Sequence, residues 1–285
     1  MIGALILSHG RPDNVKTIQA LKKAGYTGEI KIVCDDLDKT LDKYKENFGK
    51  DVIVFDKMKK LEECDTMDNF GKTNIVLPAR NECNNISKRL GWDYFFELDD
   101  DYSEFNIRYP KDGKLKSYKI KDMDGVLNAL IEFLEASNAT TVCFSQAGDY
   151  IGGAEGGYIY KGLARKAMNC YVCKTDRPLQ FIGSINEDVN MYVTKNMRGE
   201  RVFSISMLSV NQGITQSNEG GLTDFYLENG TYIKSFYSVI AEPSCVKVGT
   251  MGNNDRRLHH RVSWGNCAPM ILSESLKKGA RSDGD

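Results

Sequence analysis

Histidine is scarce in this sequence. Only His9, His259 and His260 occur in 285 residues, which excludes a metal centre built mainly from imidazoles and makes the adjacent pair conspicuous. No apolar run reaches the ~18–20 residues that a membrane span needs. Neither charge sign is in excess: 38 Lys+Arg face 39 Asp+Glu. A surface coated with basic residues is thereby excluded, and nucleic-acid binding would need a local patch, because phosphate contacts dominate such affinity. No basic region precedes the first apolar run, Met1 to Ser8. That run is expected to be a strand rather than a signal peptide, and the setting cytoplasmic. The eight cysteines are scattered, several inside apolar runs, and are expected to be reduced thiols. Cys170 and Cys173 form the one close pair. Zinc needs four ligands, and no second pair or suitably spaced histidine follows.

Hydrophobic residues make up 41% of the chain and charged residues 27%, enough to bury one sizeable core or two fused ones and unlike a disordered segment. The first hundred residues alternate strand and helix signals. Residues 3–7 form an apolar run closed by Ser8-His9-Gly10-Arg11-Pro12. In residues 13–25, Val15, Ile18, Leu21 and Lys22 fall at helical spacing, and Gly25 can end the helix. Residues 30–34 make a second strand ending in Asp35-Asp36. Residues 39–48 suit a helix, 52–55 a third strand and 78–90 a helix. Residues 94–98 make a fourth strand, closed by Asp99-Asp100-Asp101. Strands of this kind separated by helices imply βαβ units and a mostly parallel sheet.

The expected fold is therefore α/β, with a mostly parallel Rossmann-like sheet in the N-terminal half (about residues 1–110). A mixed, more antiparallel half follows (about 111–274). It holds a helix at 124–136, a strand at 140–144 and several antiparallel strands within 158–262. No linker separates the halves, so 1–274 is expected to be one unit, with a mobile charged tail at 275–285. In open sheets, ligands bind beyond the carboxyl ends of the strands. Ser8 to Arg11, Asp35-Asp36 and Asp99 to Asp101 lie at those ends. There is no P-loop and no dinucleotide glycine fingerprint, so a bound nucleotide must have its phosphates held another way.

The triple aspartate supplies one. In an extended chain Asp99 and Asp101 point to the same side, where two carboxylates can hold a hard divalent cation that also contacts phosphate oxygens. An acidic turn facing water is the plain alternative. Asp35 at its strand end can accept a hydrogen bond from a base N–H. Arg80 at a helix start can bond a pyrimidine carbonyl or a phosphate, although a surface arginine is the commoner use.

The runs Leu77-Pro78-Ala79-Arg80-Asn81-Glu82 and Gly91-Trp92-Asp93-Tyr94-Phe95-Phe96-Glu97-Leu98-Asp99-Asp100-Asp101 resemble the nucleotide-sugar half of GT-A fold glycosyltransferases. There, an Ala-Arg-Asn helix start precedes an apolar strand and a DxD motif. A narrower match adds Ser8 to Pro12, Ile185 to Asn190, Lys234-Ser235-Phe236-Tyr237-Ser238 and Arg257-Leu258-His259-His260. With these segments the chain resembles the TET-associated glycosyltransferases of bacteriophages, inferred to glycosylate 5-hydroxymethylpyrimidines in DNA.

The resemblance implies a GT-A type enzyme with a nucleotide-diphosphate sugar donor, a UDP-sugar first, lined by Ser8, Arg11, Asp35, Asp36, Arg80, Asn81, Asp99 and Asp100. It implies Mn²⁺ or Mg²⁺ on Asp99 and Asp101. His260, or else His259, would be a further ligand, since neutral imidazole can join carboxylates on manganese. In Asn186-Glu187-Asp188-Val189-Asn190 it implies a general base, Asp188, with Glu187 as helper, and direct displacement that inverts the anomer. Without the resemblance, these acids suit a helix N-terminus. Glu155, in the loop Gly152 to Gly157, would bond sugar hydroxyls unless the loop is a plain hairpin. Arg256, Arg257 and Arg261 would contact donor diphosphate or a DNA backbone. Trp264 would stack on a sugar or base, or fill core. Two alternatives stay open here: a GT-A enzyme acting on carbohydrate, lipid or protein, and a nucleotidyltransferase. A non-enzymatic nucleotide- or DNA-binding module is a third.

Overall fold

The computed structural model describes residues 2–212, 233–251, 257–269 and 271. The Arg256 expectation and the tail at 275–285 fall outside them. The first half follows the expected alternation. In chain order it contains β1 (Ile2–Leu7), α1 (Lys16–Lys23), β2 (Ile30–Asp35), α2 (Leu41–Phe48), β3 (Val52–Phe55), α3 (Lys57–Glu62), α4 (Leu77–Arg89) and β4 (Tyr94–Asp99). These four strands lie in the order β3-β2-β1-β4, all parallel. Helix α1 starts later than expected, because Arg11 to Asn14 first make a turn closed by the Asn14 N–H on the Arg11 carbonyl (3.0 Å). The short α3 was not anticipated. Asp56 caps it by accepting from the Lys59 N–H.

The second half contributes β5 (Glu104–Lys111), β6 (Lys114–Lys119), α5 (Met123–Ser137), β7 (Thr141–Gln146), β8 (Leu163–Ala164), β9 (Asn169–Lys174), α6 (Glu187–Met197) and β10 (Val202–Asn211). After these come α7 (Ile233–Ala241), β11 (Val246–Met251) and β12 (Arg257–Val262). Strand β9 is antiparallel to both its neighbours, β4 and β7, and so joins the two halves in one sheet. The order continues β9-β7-β10-β5-β6, with β8 on β10. Only part of this half is antiparallel as expected: β10 runs parallel to β7, and residues 233–241 are helical. The β5–β6 hairpin was not anticipated: Phe105, Ile107 and Tyr109 alternate on β5, but β6 is short, mostly polar and exposed.

Alternation along the strands builds a core on each face of the sheet. Ala4 and Ile6 of β1 join Phe96 and Leu98 of β4, with Leu21 of α1 and Leu127 of α5, on one face. Leu5, Leu7 and Phe95 join Ile86 of α4 and Val189 of α6 on the other. The central strands are buried on both sides, as parallel strands covered by helices must be. On β4 the same alternation turns Glu97 and Asp99 toward the face of α4 and α6.

Residues 152–157 do not form a hairpin. They make a turn linking two short 3-10 segments, Ala147–Tyr150 and Tyr158–Lys161. Gly156 is required there, since a Cβ would lie 2.1 Å from the Ile151 carbonyl oxygen. All eight thiols are free, and Cys170 and Cys173 are fully buried in β9.

Candidate active site

The strand ends of β1, β2 and β4 converge into an acidic pocket in which most carboxylates are paired. Asp100 is buried. It accepts from Ser8 Oγ at 2.6 Å and meets Arg11 Nη2 at 3.1 Å. The Tyr44 hydroxyl lies 2.6 Å from Ser8 Oγ and accepts from the Arg11 N–H at 2.9 Å, fixing the loop after β1. Burial pushes the Asp100 carboxyl up to about 6, against the pull of Arg11 and Ser8. Asp35, also buried, faces His9 Nδ1 at 2.7 Å and Lys57 Nζ at 3.2 Å. Burial alone would raise it, but the His9 hydrogen bond and the Lys57 charge outweigh that and hold it below the usual carboxylate range. Asp36 is exposed and accepts from the Lys57 N–H at 2.9 Å. Asp38 accepts from the Gly10 N–H at 2.7 Å. His9, Asp38, Tyr44 and Lys57 complete this pocket. Sequence reasoning missed three of them because each gains its meaning only from a residue far along the chain.

A second cluster lies beneath. Helix α4 buries a polar face, Arg80, Cys83, Asn84 and Ser87, spaced three and four residues apart. Arg80 lies over the rings of Tyr171 and Phe181, at 5.5 and 5.6 Å, and the two rings meet edge-on at 5.2 Å. Its Nε donates to Glu187 at 3.0 Å, Nη1 to Glu97 at 3.1 Å, and Nη2 pairs with Asp99 at 3.1 Å. The expected contact of Arg80 with a base or phosphate is thus replaced by three protein carboxylates. Asn81 donates to the Phe181 carbonyl and accepts from the Phe181 N–H, so it pins the segment before α6. Burial pushes Glu97 up to about 7, against Arg80.

Asp188 follows Glu187 at the start of α6. One of its oxygens accepts from the Val189 N–H at 2.7 Å; the other accepts none among the described residues. Burial first, then the like charge of Glu187, raises its pKa well above the usual carboxylate range. Helix α7 brings a cation to this point. Asn186 donates to Ser238 Oγ at 2.7 Å, and Ser238 donates to Asn190 at 2.9 Å. With α7 so docked, the Lys234 charge acts on Asp188 and favours its ionised form. Burial in turn lowers the Lys234 ammonium.

Of the metal ligands expected from the sequence, Asp99 and Asp101 act on one another, whereas the charges acting on His259 and His260 come from other residues. Strand β4 ends at Asp99, and Asp100 and Asp101 lie in a turn, so the extended-chain reason for pairing Asp99 with Asp101 fails. Among the described residues no three His, Cys, Asp or Glu side chains form a metal-holding group. His259 and His260 lie on β12 with ring centroids 4.2 Å apart, not on opposite sides. The charges acting on them are cationic: Lys234 and Lys166 on both, Arg257 and Arg261 on His259. Burial drives His260 down to about 3, and its Nδ1 is buried without a hydrogen-bond partner among the described residues. The carboxylate part of the donor set does suit a hard cation. Asp101 has no ion-pair partner among the described residues, and burial and then Asp99 raise its pKa.

The remaining candidates are spread over the second half. Glu155 is exposed. Arg257 and Arg261 are exposed, and Arg261 donates to the Thr250 carbonyl at 2.7 Å. Trp264 stacks on Tyr192 (5.8 Å) and lies 5.4 Å under Arg165. It borders a cleft of about 440 Å³ lined also by Asp149, Tyr158, Lys161 and Lys166.

Residues 3–221 match the family model described as TET-associated glycosyltransferase, and the chain belongs to that family. It is thus an enzyme of nucleotide-sugar glycosyl transfer, and the nucleotidyltransferase and non-enzymatic alternatives fall away. No curated protein matches the sequence. Among solved structures, one similar to it is glucosyl-3-phosphoglycerate synthase from Mycobacterium tuberculosis, in complex with Mn²⁺, uridine diphosphate and phosphoglyceric acid. It shows 9% identity over 92% of this chain and 87% of that one, with a TM-score of 0.41. Another is S. aureus TarS 1-349 in complex with UDP-GlcNAc, at 10% identity over 84% of this chain and 66% of that one, with a TM-score of 0.39.

Proposed function

We propose that this glycosyltransferase moves a sugar from a UDP-sugar to the hydroxyl of a 5-hydroxymethylpyrimidine in DNA, with Asp188 as the general base. The observation that carries the reading is the division of labour between two adjacent acids. Glu187 is held by Arg80 at 3.0 Å, whereas Asp188 keeps one oxygen without a hydrogen bond among the described residues. Its raised proton affinity suits a group that must take a proton near neutral pH.

Asp188 would accept the proton of the acceptor hydroxyl as that oxygen bonds to the anomeric carbon. The bond from that carbon to the diphosphate oxygen breaks, UDP leaves, and the product has inverted configuration. Arg11, held to Asp100, and His9 and Lys57, held to Asp35, present donors and positive charge at the strand ends, where the nucleotide is expected. Asp101, with Asp99, would hold a divalent cation, Mn²⁺ or Mg²⁺, whose charge neutralises a diphosphate. Lys234 favours the ionised form of Asp188, against burial and Glu187. The DNA acceptor rests on the family and on the local concentration of cations in the second half, which a chain of net charge −1 does not owe to its overall composition.

The test is Asp188→Asn, assayed on hydroxymethylated DNA with a panel of UDP-sugars and read by nucleoside mass spectrometry. Transfer should fall by about 10²–10⁴-fold while calorimetric UDP affinity stays within about twofold. Retained transfer would place the base elsewhere. No product from the unaltered enzyme with any hydroxymethylated DNA would remove this acceptor.

A further inference from the structure

Among the described residues the hairpin β5–β6 ends the sheet, with no strand on the outer side of β6. It carries Arg108, Lys111, Lys114, Lys116 and Lys119 against Glu104 and Asp112. The register separates these by face. Tyr109 lies opposite Lys116, Ile107 opposite Tyr118, and Lys111 opposite Lys114, so all six share one side. The other side is covered, since Arg108 lies 4.6 Å from the Tyr150 ring and Leu115 packs on the Tyr150–Tyr158 cluster. On the first side Lys111, Lys114 and Lys116 are exposed. The rings of Tyr109 and Tyr118 stack 5.3 Å apart at 9°, and Tyr118 is 62% exposed.

Lysines on an edge strand discourage pairing with another sheet. That role does not explain the tyrosines, because exposed aromatic residues on an edge favour pairing. A flat aromatic platform beside a row of lysines has a different complement: a strand of phosphates carrying bases that stack. We propose that this face binds single-stranded DNA, its lysines tracking phosphates and the Tyr118 ring stacking on a base. This rests on the DNA acceptor proposed above and extends it to a second contact. Strand β5 begins four residues beyond Asp100 and at about 3.4 Å per residue runs roughly 27 Å away. The hairpin would hold the strand away from the reacting base.

The experiment compares three proteins: the unaltered chain, the triple variant Lys111→Glu/Lys114→Glu/Lys116→Glu, and Tyr118→Ala. Binding to a hydroxymethylated single-stranded oligonucleotide is followed by fluorescence anisotropy across a salt titration, with polyglutamate as competitor. Three lost phosphate contacts should lower the slope of log K against log salt by about 2, from ~0.7 per phosphate on single strands, and weaken binding at least ~10-fold. Tyr118→Ala should weaken binding ~5-fold or more with the slope unchanged, and Tyr118→Trp should restore it. At saturating oligonucleotide, kcat should stay within about twofold of the unaltered enzyme while KM rises. Binding unchanged in both variants, alongside normal transfer, overturns the hairpin contact and leaves the acceptor standing. An unaltered protein that binds no oligonucleotide at low salt overturns both. Loss in the triple variant with none in Tyr118→Ala, and full competition by polyglutamate, would make the face a site for an acidic polypeptide and overturn the proposal.

Discussion

The two halves of the sheet organise charge in opposite ways. At the ends of β1, β2 and β4, acids from the strands are met by cations from nearby loops and helices: Asp100 by Arg11, Asp35 by His9 and Lys57, Asp99 by Arg80. Around β12 and α7, Lys234, Arg257 and Arg261 gather with a half-buried, neutral His260, and Lys234 among them acts on Asp188. The first half pairs most of its strand-end acids without a ligand, Asp101 excepted. The second holds positive charge in reserve, which suits a polyanion. Arg80 ties the halves together, joining β4 of the first to α6 of the second.

That link gives the largest expected effect. Arg80→Met would leave the buried Glu97 and Glu187, and the half-buried Asp99, without their shared cation. Removing one member of such a cluster costs about 3–5 kcal/mol, readable as a lower urea midpoint. Arg80→Lys keeps the charge but cannot reach three carboxylates with one fork, and should fall between the two. Equal stability of Arg80→Met and the unaltered chain would mean that the halves are not coupled through this residue.

A smaller effect concerns Asp188 alone. As the base it must be ionised, so activity should rise with pH through a limb set by its raised pKa. Glu187→Gln removes the like charge that helps raise it and frees Arg80 to act on Asp188. Both changes lower the Asp188 pKa, so the limb should move to lower pH in the pH–rate profile. A limb that stays in place would show that Glu187 does not tune the base. Burial holds His260 at about 3, so it should add no limb near neutrality.

How far the sequence could be read differs between the halves for a physical reason. Strands β1, β2 and β4 bury both faces over most of their length, so their apolar runs and the acids closing them stand out in one dimension. Arg80 was legible as a residue to watch, but its role was not. The α4 face that matters is polar and buried, and hydrophobic periodicity cannot detect it. Asp188 stood out only through resemblance, because an acidic helix start is ordinary. The β5–β6 hairpin and α7 were lost among polar and aromatic residues whose faces are set by partners distant in sequence. His259 and His260 attracted attention for their rarity, yet among the described residues they lie with cations rather than with Asp99 and Asp101.

The smallest contrast lies within the first half, on the single carboxylate of Asp35. Its two cations differ in exposure: the Lys57 side chain is 7% exposed and that of His9 43%. Charge in water is screened, so the His9 contact is worth less than about 1 kcal/mol. The buried Lys57 bond is worth roughly 2 kcal/mol. Lys57→Met should therefore destabilise more than His9→Ala. The pH dependence separates them further. The folded pKa of Asp35 lies below its ordinary 3.8. Its contribution to stability is therefore complete above that value and lost as pH falls through the depressed folded pKa. Removing either cation raises the folded pKa and narrows the window. Acid unfolding should begin at higher pH in both variants, and by more in Lys57→Met. The reverse order would mean that the half-exposed imidazole, not the buried ammonium, holds this strand end together.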